Sequence, residues 1–266
     1  MPIFWSLFLM LLLNLGNLGS GQAVSGSGAD LENLEYRVSL GPWSEVAVVH
    51  LQLARVDQDH YRAEFSGAAR GMWRVLSRWL PERYETEMVL EGGRLKPLIF
   101  REEFQAKGHH VRKEYHFDYS RKILEMWRSA DYQEPVKRWQ VPLKEPVYDH
   151  LSLFYNFRLG AFGPLKGGEN LKVALFPVPE SRVLIFRIGS GANENRKIML
   201  ELAGTKGEEE AGPYFLVCNS QWVPTEAWTR VSLFGKLAGH LLNPQAIMKD
   251  GLLNFSPALT PKPANK

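Results

Sequence analysis

The chain has 266 residues, 45% of them hydrophobic and 12% aromatic, which is enough for one large β domain or two small ones with a real core. Its net charge of +3 is spread along the sequence and offers no basic patch for nucleic acid. The single cysteine, Cys218, excludes an intrachain disulfide and any multi-cysteine metal site, and its strand-like surroundings read as buried.

Residues 1–29 carry no charged side chain, and Ile3 to Leu13 is apolar but for Ser6. Small residues follow, with Gly21-Gln22-Ala23 as a small-x-small cleavage site, although no Lys or Arg precedes the apolar run. The run falls short of the roughly 20 apolar residues of a spanning helix. The expectation is a cleaved signal peptide over residues 1–23 and an exported, periplasmic protein without a stable membrane span. An uncleaved N-terminal anchor is the alternative. Residues 24–32, small and polar, read as a flexible lead.

From residue 33 the pattern turns to strands. Leu34, Tyr36 and Val38 alternate with Glu35, Arg37 and Ser39, the period of a half-buried strand. Gly41-Pro42 turns the chain into a second strand over residues 44–56. Tyr61, Ala63, Phe65, Gly67 and Ala69 alternate with polar neighbours and complete a hairpin. Met72, Val75, Leu76 and Trp79 then recur at helical spacing, which predicts a short helix over 72–79 ending at Pro81. That helix, with Trp73 and Trp79, is expected either to plug a sheet opening or to lie beside a ligand cavity.

More strands follow. Tyr84, Thr86, Met88 and Leu90 alternate with acidic residues, and residues 95–105 contain Pro97 early on, which suggests a strand start or an edge. Val111, Tyr115 and Phe117 share a face, and residues 123–128 and 139–141 extend the series. After residue 158, strands are expected over 171–176, 182–188, 197–202, 214–218 and 226–233, while 235–242 is apolar and undecided between strand and helix. Residues 244–266 read as a flexible C-terminal tail. Without alternating strands and long helices, the chain belongs in the mainly β class. The expected form of residues 33–243 is a single antiparallel, strongly curved sheet or open barrel, with two short helices at or in its opening.

The second predicted helix runs from Asp149 to Arg158. Asp149 follows Pro146 and precedes an apolar run, so its carboxylate is placed to cap the first turn. Asp149, Ser152, Tyr155 and Arg158 recur every three residues, and at 3.6 residues per turn they spiral apart instead of clustering. Arg158 shares a face with Leu151 and Phe154. A guanidinium on an apolar face needs a partner, because unpaired burial is costly. Two roles are open for it: a tie between helix and strand, or a hook for an anionic head group at a cavity mouth.

The chain resembles the domain-of-unknown-function 3108 family of bacterial exported proteins. The residues that carry the resemblance are the Leu34-Glu35-Tyr36-Arg37-Val38 strand, the hairpin ending Ala63 to Arg70, Tyr115-His116-Phe117-Asp118, and Asp149-x-x-Ser152-x-x-Tyr155-x-x-Arg158. The resemblance implies a signal-peptide-bearing, β-rich envelope protein, similar in form to lipoprotein carriers, and it brings no catalytic residue. No hydrolase, zinc-protease or phosphate-loop motif occurs in the sequence. His110 and His116, six residues apart on a strand, are about 20 Å from each other and cannot share an ion.

The expected function is therefore non-enzymatic: a binding or carrier module for an apolar or lipid-like ligand, without catalytic residues, metal or cofactor. Arg158, Tyr155, Trp73, Trp79, Phe65 and Tyr115 are the candidate ligand-binding residues and Asp149 the structural cap. The alternative is a structural or assembly partner in the cell envelope, working through protein contacts.

Overall fold

The alternation read along the chain produces strands almost throughout. The computed structural model describes residues 29–70, 81–106, 108–143, 147–175, 182–189, 196–203, 213–231 and 234–244. The predicted signal peptide, the helix expected over 72–79 with Trp73 and Trp79, and nearly all of the predicted tail lie outside the described residues. The strands are β1 (Ala29–Leu40), β2 (Trp43–Arg55), β3 (His60–Ala69), β4 (Pro81–Glu91), β5 (Arg94–Ala106), β6 (His109–Asp118), β7 (Ile123–Ala130) and β8 (Val136–Pro142). A helix, α1 (His150–Arg158), follows. The second half comprises β9 (Asn170–Leu175), β10 (Arg182–Ile188), β11 (Arg196–Ala203), β12 (Tyr214–Cys218), β13 (Pro224–Val231) and β14 (Gly235–Leu241). Among the described residues there is one helix where two were expected, and the stretch left undecided after residue 234 is a strand. No helix among the described residues is long and apolar enough to cross a membrane.

All fourteen strands form one antiparallel sheet, in the order β8-β7-β6-β5-β4-β3-β2-β1-β14-β13-β12-β11-β10-β9. From β1 the chain steps outward strand by strand to one edge at β8. It then passes through α1 to the opposite edge at β9 and steps back until β14 pairs with β1. The sheet is not closed; β8 and β9 remain its two edges. The segment before α1 lies along the β9 edge, where Tyr148 N donates to Ala174 O at 3.4 Å and Tyr148 makes an isolated parallel bridge with Leu175. Register shifts interrupt the β1–β2, β4–β5, β7–β8 and β12–β13 ladders. Such bulges bend a strand and increase its twist, which is how strands this long curve around a core.

β1 begins at Ala29, so residues 29–32, expected in a flexible lead, are strand. The reason is pairing: Ala29 and Asp30 lie opposite Arg55 and Ala54, and Glu32 opposite Leu53. Pro97 sits inside β5, at the β4–β5 register shift, in an interior strand of the sheet. The last β5–β6 partners are Ile99 and His116, so Pro97 lies beyond the paired part of that ladder.

Inward side chains make one continuous core. A row of rings crosses it from Phe65 to Tyr84, Phe100, Tyr115 and Trp139, with successive centroids 6.3, 5.9, 5.8 and 6.1 Å apart. The opposite face of β4, β5 and β6 carries a ladder of Arg83, Arg101 and Arg112 against Glu64, Glu85 and Glu114. Partly exposed pairs of this kind contribute little each.

The seam between β1 and β14 is set by the turn at Gly41, whose N–H donates to Lys236 O at 2.8 Å. Gly41 has φ +54°, and a Cβ there would collide with the Phe234 carbonyl oxygen. Gly41→Ala is expected to lower stability by about 2 kcal/mol or more, read as a drop in the urea midpoint. An unchanged midpoint would show that the turn can move away at no cost.

Candidate functional site

α1 is fastened inside the sheet by polar groups along its length. Asp149 is its N-cap: Oδ1 accepts from Leu151 N at 2.8 Å, Ser152 N at 3.1 Å and Thr86 Oγ1 on β4 at 2.7 Å. Ser152 Oγ donates back to Asp149 O at 3.1 Å. One turn on, Asn156 behaves like a neighbouring strand. Its Oδ1 accepts from Leu95 N at 2.9 Å and its Nδ2 donates to Leu95 O at 2.7 Å, just where β5 has run past the end of β6. At the last residue, Arg158 forms a two-pronged pair with Glu32 on β1, with Nη2 at 2.7 Å from Oε1 and Nη1 bonded to Oε2. The two side chains are 1% and 0% exposed. The Arg158 guanidinium also lies over the rings of Phe154 at 5.4 Å and Tyr155 at 5.8 Å.

Burial sets the protonation of these groups. It raises Asp149 above the usual carboxylate range, against the opposing pull of the Ser152, Thr86 and Leu151 donors. Burial works against the charged form of Arg158, but the hydrogen-bonded Glu32 carboxylate outweighs it and holds the guanidinium above its ordinary value. Burial first, and then the Glu32 charge, push the Tyr155 phenol well above its usual range. Burial pushes the Cys218 thiol up to about 12, so it stays protonated and unreactive at neutral pH.

The other side of α1 is apolar. His150, Leu153, Phe154 and Phe157 fall at i, i+3, i+4 and i+7, one stripe along the helix. They line a cavity whose far wall is Leu184 and Phe186 of β10, Leu200 of β11 and Leu216 of β12. Phe65 and Tyr84 border it on the first half of the sheet, and Trp222 borders it on the second, edge-on to Phe157 at 5.2 Å. The cavity encloses about 70 Å³ open to the centre of a water-sized sphere. Its apolar lining offers water few hydrogen-bond partners.

Both ring nitrogens of His150 are buried and have no hydrogen-bond partner among the described residues, although the residue as a whole is only partly buried. Burial pushes its imidazole down to about 3, so the ring is neutral at neutral pH. Its ring lies 6.0 Å from that of Phe100.

The residues expected to bind ligand are thus divided by the structure. Phe65 lines the cavity. Tyr155 and Arg158 belong to the buried anchoring network, and of the two roles open to Arg158 the tie to a strand is the one observed. Tyr115 stacks on Phe100 and reaches Glu102 at 3.4 Å, away from the cavity. Sequence reasoning missed Glu32, Asn156 and His150. Stepping the β1 alternation back two residues from Leu34 would have placed Glu32 on the inward face. The i, i+3, i+4, i+7 series starting at His150 would have marked the cavity stripe. Nothing local marks Asn156, since its partner is a backbone 61 residues away.

A model of the family described as "Protein of unknown function (DUF3108)" matches residues 35–199. No curated protein matches the chain. Among solved structures, a β-barrel-like protein of domain of unknown function DUF1849 from Brucella abortus is similar at 9% identity and a TM-score of 0.49, covering 84% of this chain and 99% of its own.

Two outcomes follow from the anchors and the imidazole. Arg158→Leu removes the two-pronged guanidinium pair from the buried Glu32 carboxylate and is expected to cost about 3–5 kcal/mol, measured by chemical denaturation. The double replacement Glu32→Leu with Arg158→Leu should recover much of that loss; equal costs for the single and double variants would mean the pairing is immaterial. For His150, the unfolded imidazole takes up a proton below about pH 6.5, while the folded one resists until about 3. Its contribution is therefore present above pH 6.5 and lost as pH falls toward 3. Asp149, raised by burial, acts with the opposite sign, losing its contribution as pH rises through its elevated value. The difference between wild type and His150→Leu isolates the histidine. It should move in the variant's favour by up to about 3 kcal/mol between pH 7 and pH 4, and a pH-independent difference would refute the burial of a neutral ring.

Proposed function

The chain belongs to the DUF3108 family, and from the geometry around α1 we propose that it is a non-enzymatic binding or carrier module for an apolar or lipid-like ligand. The observation that supports this is the cavity between the apolar stripe of α1 and β10 to β12. Its position follows from construction. The polar anchors draw α1 toward β4 and β5, so the space on the helix's other side is bounded by Leu, Phe and Trp side chains that close it only in part, where Phe157 meets Phe186 and Trp222. At about 70 Å³ the space takes one alkyl or aromatic group of a ligand, with the rest of the ligand outside. The apolar N-terminal run supports export and work in the periplasm, with an uncleaved N-terminal anchor as the alternative.

Full-length protein titrated with phenylnaphthylamine, which brightens in apolar surroundings, tests the proposal. Saturable binding is expected, weakened about tenfold or more by Leu216→Trp, which fills the cavity. Equal binding by variant and wild type, or no binding by either, would count against the cavity as a ligand site.

One observation favours a second reading, an assembly role in the envelope. β8 is an edge strand with mostly exposed residues, and Val136 on it and Tyr132 just before it are 53% and 87% exposed. An edge of this kind can accept a strand from another chain. Crosslinking through residues near β8 in envelope extracts should then recover one stable partner; a monomer under the same conditions argues against it.

A further inference from the structure

One wall of the cavity ends in a cation. On β11, Leu200 lines the cavity and Ile198 is buried beside it, and two residues earlier Arg196 stands on the same face of the sheet. Directly across from it on β12 is Cys218, itself part of the lining, so the two side chains start about 5 Å apart. The Arg196 guanidinium lies over the ring of Trp222, 4.0 Å from its centroid. Trp222 lines the cavity and is only half-buried, so one indole both borders the cavity and carries the cation. The turn before β13 fixes that indole. Asn219 Oδ1 accepts from Gln221 N and Val223 N, both at 3.0 Å, and Trp222 is held at φ +60°, a left-handed conformation that a bulky residue rarely adopts. Arg196 makes no hydrogen bond or ion pair with a described residue, and its nitrogens stay open to water.

We propose that Arg196 anchors the head group of the ligand and that the ligand is an alkyl chain ending in an anionic oxygen group, a carboxylate or a phosphate. This rests on the binding reading given above. The cavity encloses about 70 Å³, so much of a lipid-like chain lies outside it. A charged head is costly to place against the apolar lining and is held best by a counter-charge that water still reaches. Arg196 supplies one, because its planar guanidinium offers paired N–H donors that match two oxygens of a single head. It stands across from Cys218 and over Trp222, so a tail that leaves the cavity along Trp222 brings its head to the guanidinium. The indole gives the part of the tail between them an apolar surface to lie on. Arg158, whose guanidinium lies over Phe154 on the helix side, is already taken by Glu32.

The test is competition by decanoate, decyl phosphate and decanol against phenylnaphthylamine at neutral pH, on the full chain and on Arg196→Gln. The quantity read is the affinity of each anion relative to that of decanol, which cancels the shared tail and any change in the cavity itself. For at least one anion that ratio should be about fivefold higher in the wild type than in the variant, the worth of one half-exposed ion pair. The anion with the larger change identifies the head group. Equal ratios in the two proteins for both anions overturn the role of Arg196 and leave the binding reading standing. Failure of all three compounds to bind the wild type overturns the binding reading itself. Should the variant not fold, the Nε–H resonance of Arg196 in the wild type decides: an anion shifts it and decanol does not, and identical responses refute the proposal.

Discussion

The Arg158–Glu32 pair joins the last residue of α1 to the first strand of the sheet, 126 positions earlier in the chain. The buried guanidinium and carboxylate compensate each other, because an uncompensated ion in a core costs several kcal/mol. β1 is also the strand against which β14 returns. The same strand therefore fixes the seam between the two halves of the sheet and the end of the helix that fills its concave side. Thr86 and Leu95 add fixed points on β4 and β5 through Asp149 and Asn156. Three strands hold a helix of nine residues, which by length alone would be marginal in water.

These anchors decide where the empty space is. A large open sheet has two problems: a concave face too wide to fill with its own side chains, and unpaired edges. The passage from β8 to β9 fills part of that face and covers part of the β9 edge. Tyr148 lies against the β9 edge, and α1 then enters the interior. Because the polar side of the helix is drawn to β4 and β5, its apolar stripe faces β10 to β12 across a gap. Phe157 closes part of it by stacking on Phe186 at 4.9 Å. The cavity is thus a consequence of how the helix is tethered, and His150 enters its lining because it stands seven residues before Phe157 on the same stripe.

Much of the fold was legible from alternation alone, because a half-buried strand writes its two faces into the sequence with period two. The hairpin of β2 and β3 and the acidic outward face of β4 are read this way, and the cap at Asp149 is read from its place between Pro146 and an apolar run. So is the demand that Arg158 have a partner, which follows from the cost of burying a charge. The identity of that partner was not read, although Glu32 lies in phase with Leu34 and Tyr36, because composition made residues 24–32 look like a lead. Pro97 reads as a strand start or an edge, and it is the fourth residue of β5, a strand inside the sheet. Where the ladder with a neighbouring strand stops is a property of two segments together, not of one.

The sequence by itself determined the class, an antiparallel β protein with a capped helix near its middle, since those features depend on the spacing of apolar residues and on local hydrogen bonding. Only the tertiary structure decided that fourteen strands form one unclosed sheet, that the helix crosses between its edges, and that Arg158 is tied to Glu32 while His150 borders an apolar cavity unpartnered. Each of these depends on contacts between residues far apart in the chain, and local periodicity carries no information about which distant strand a side chain will meet.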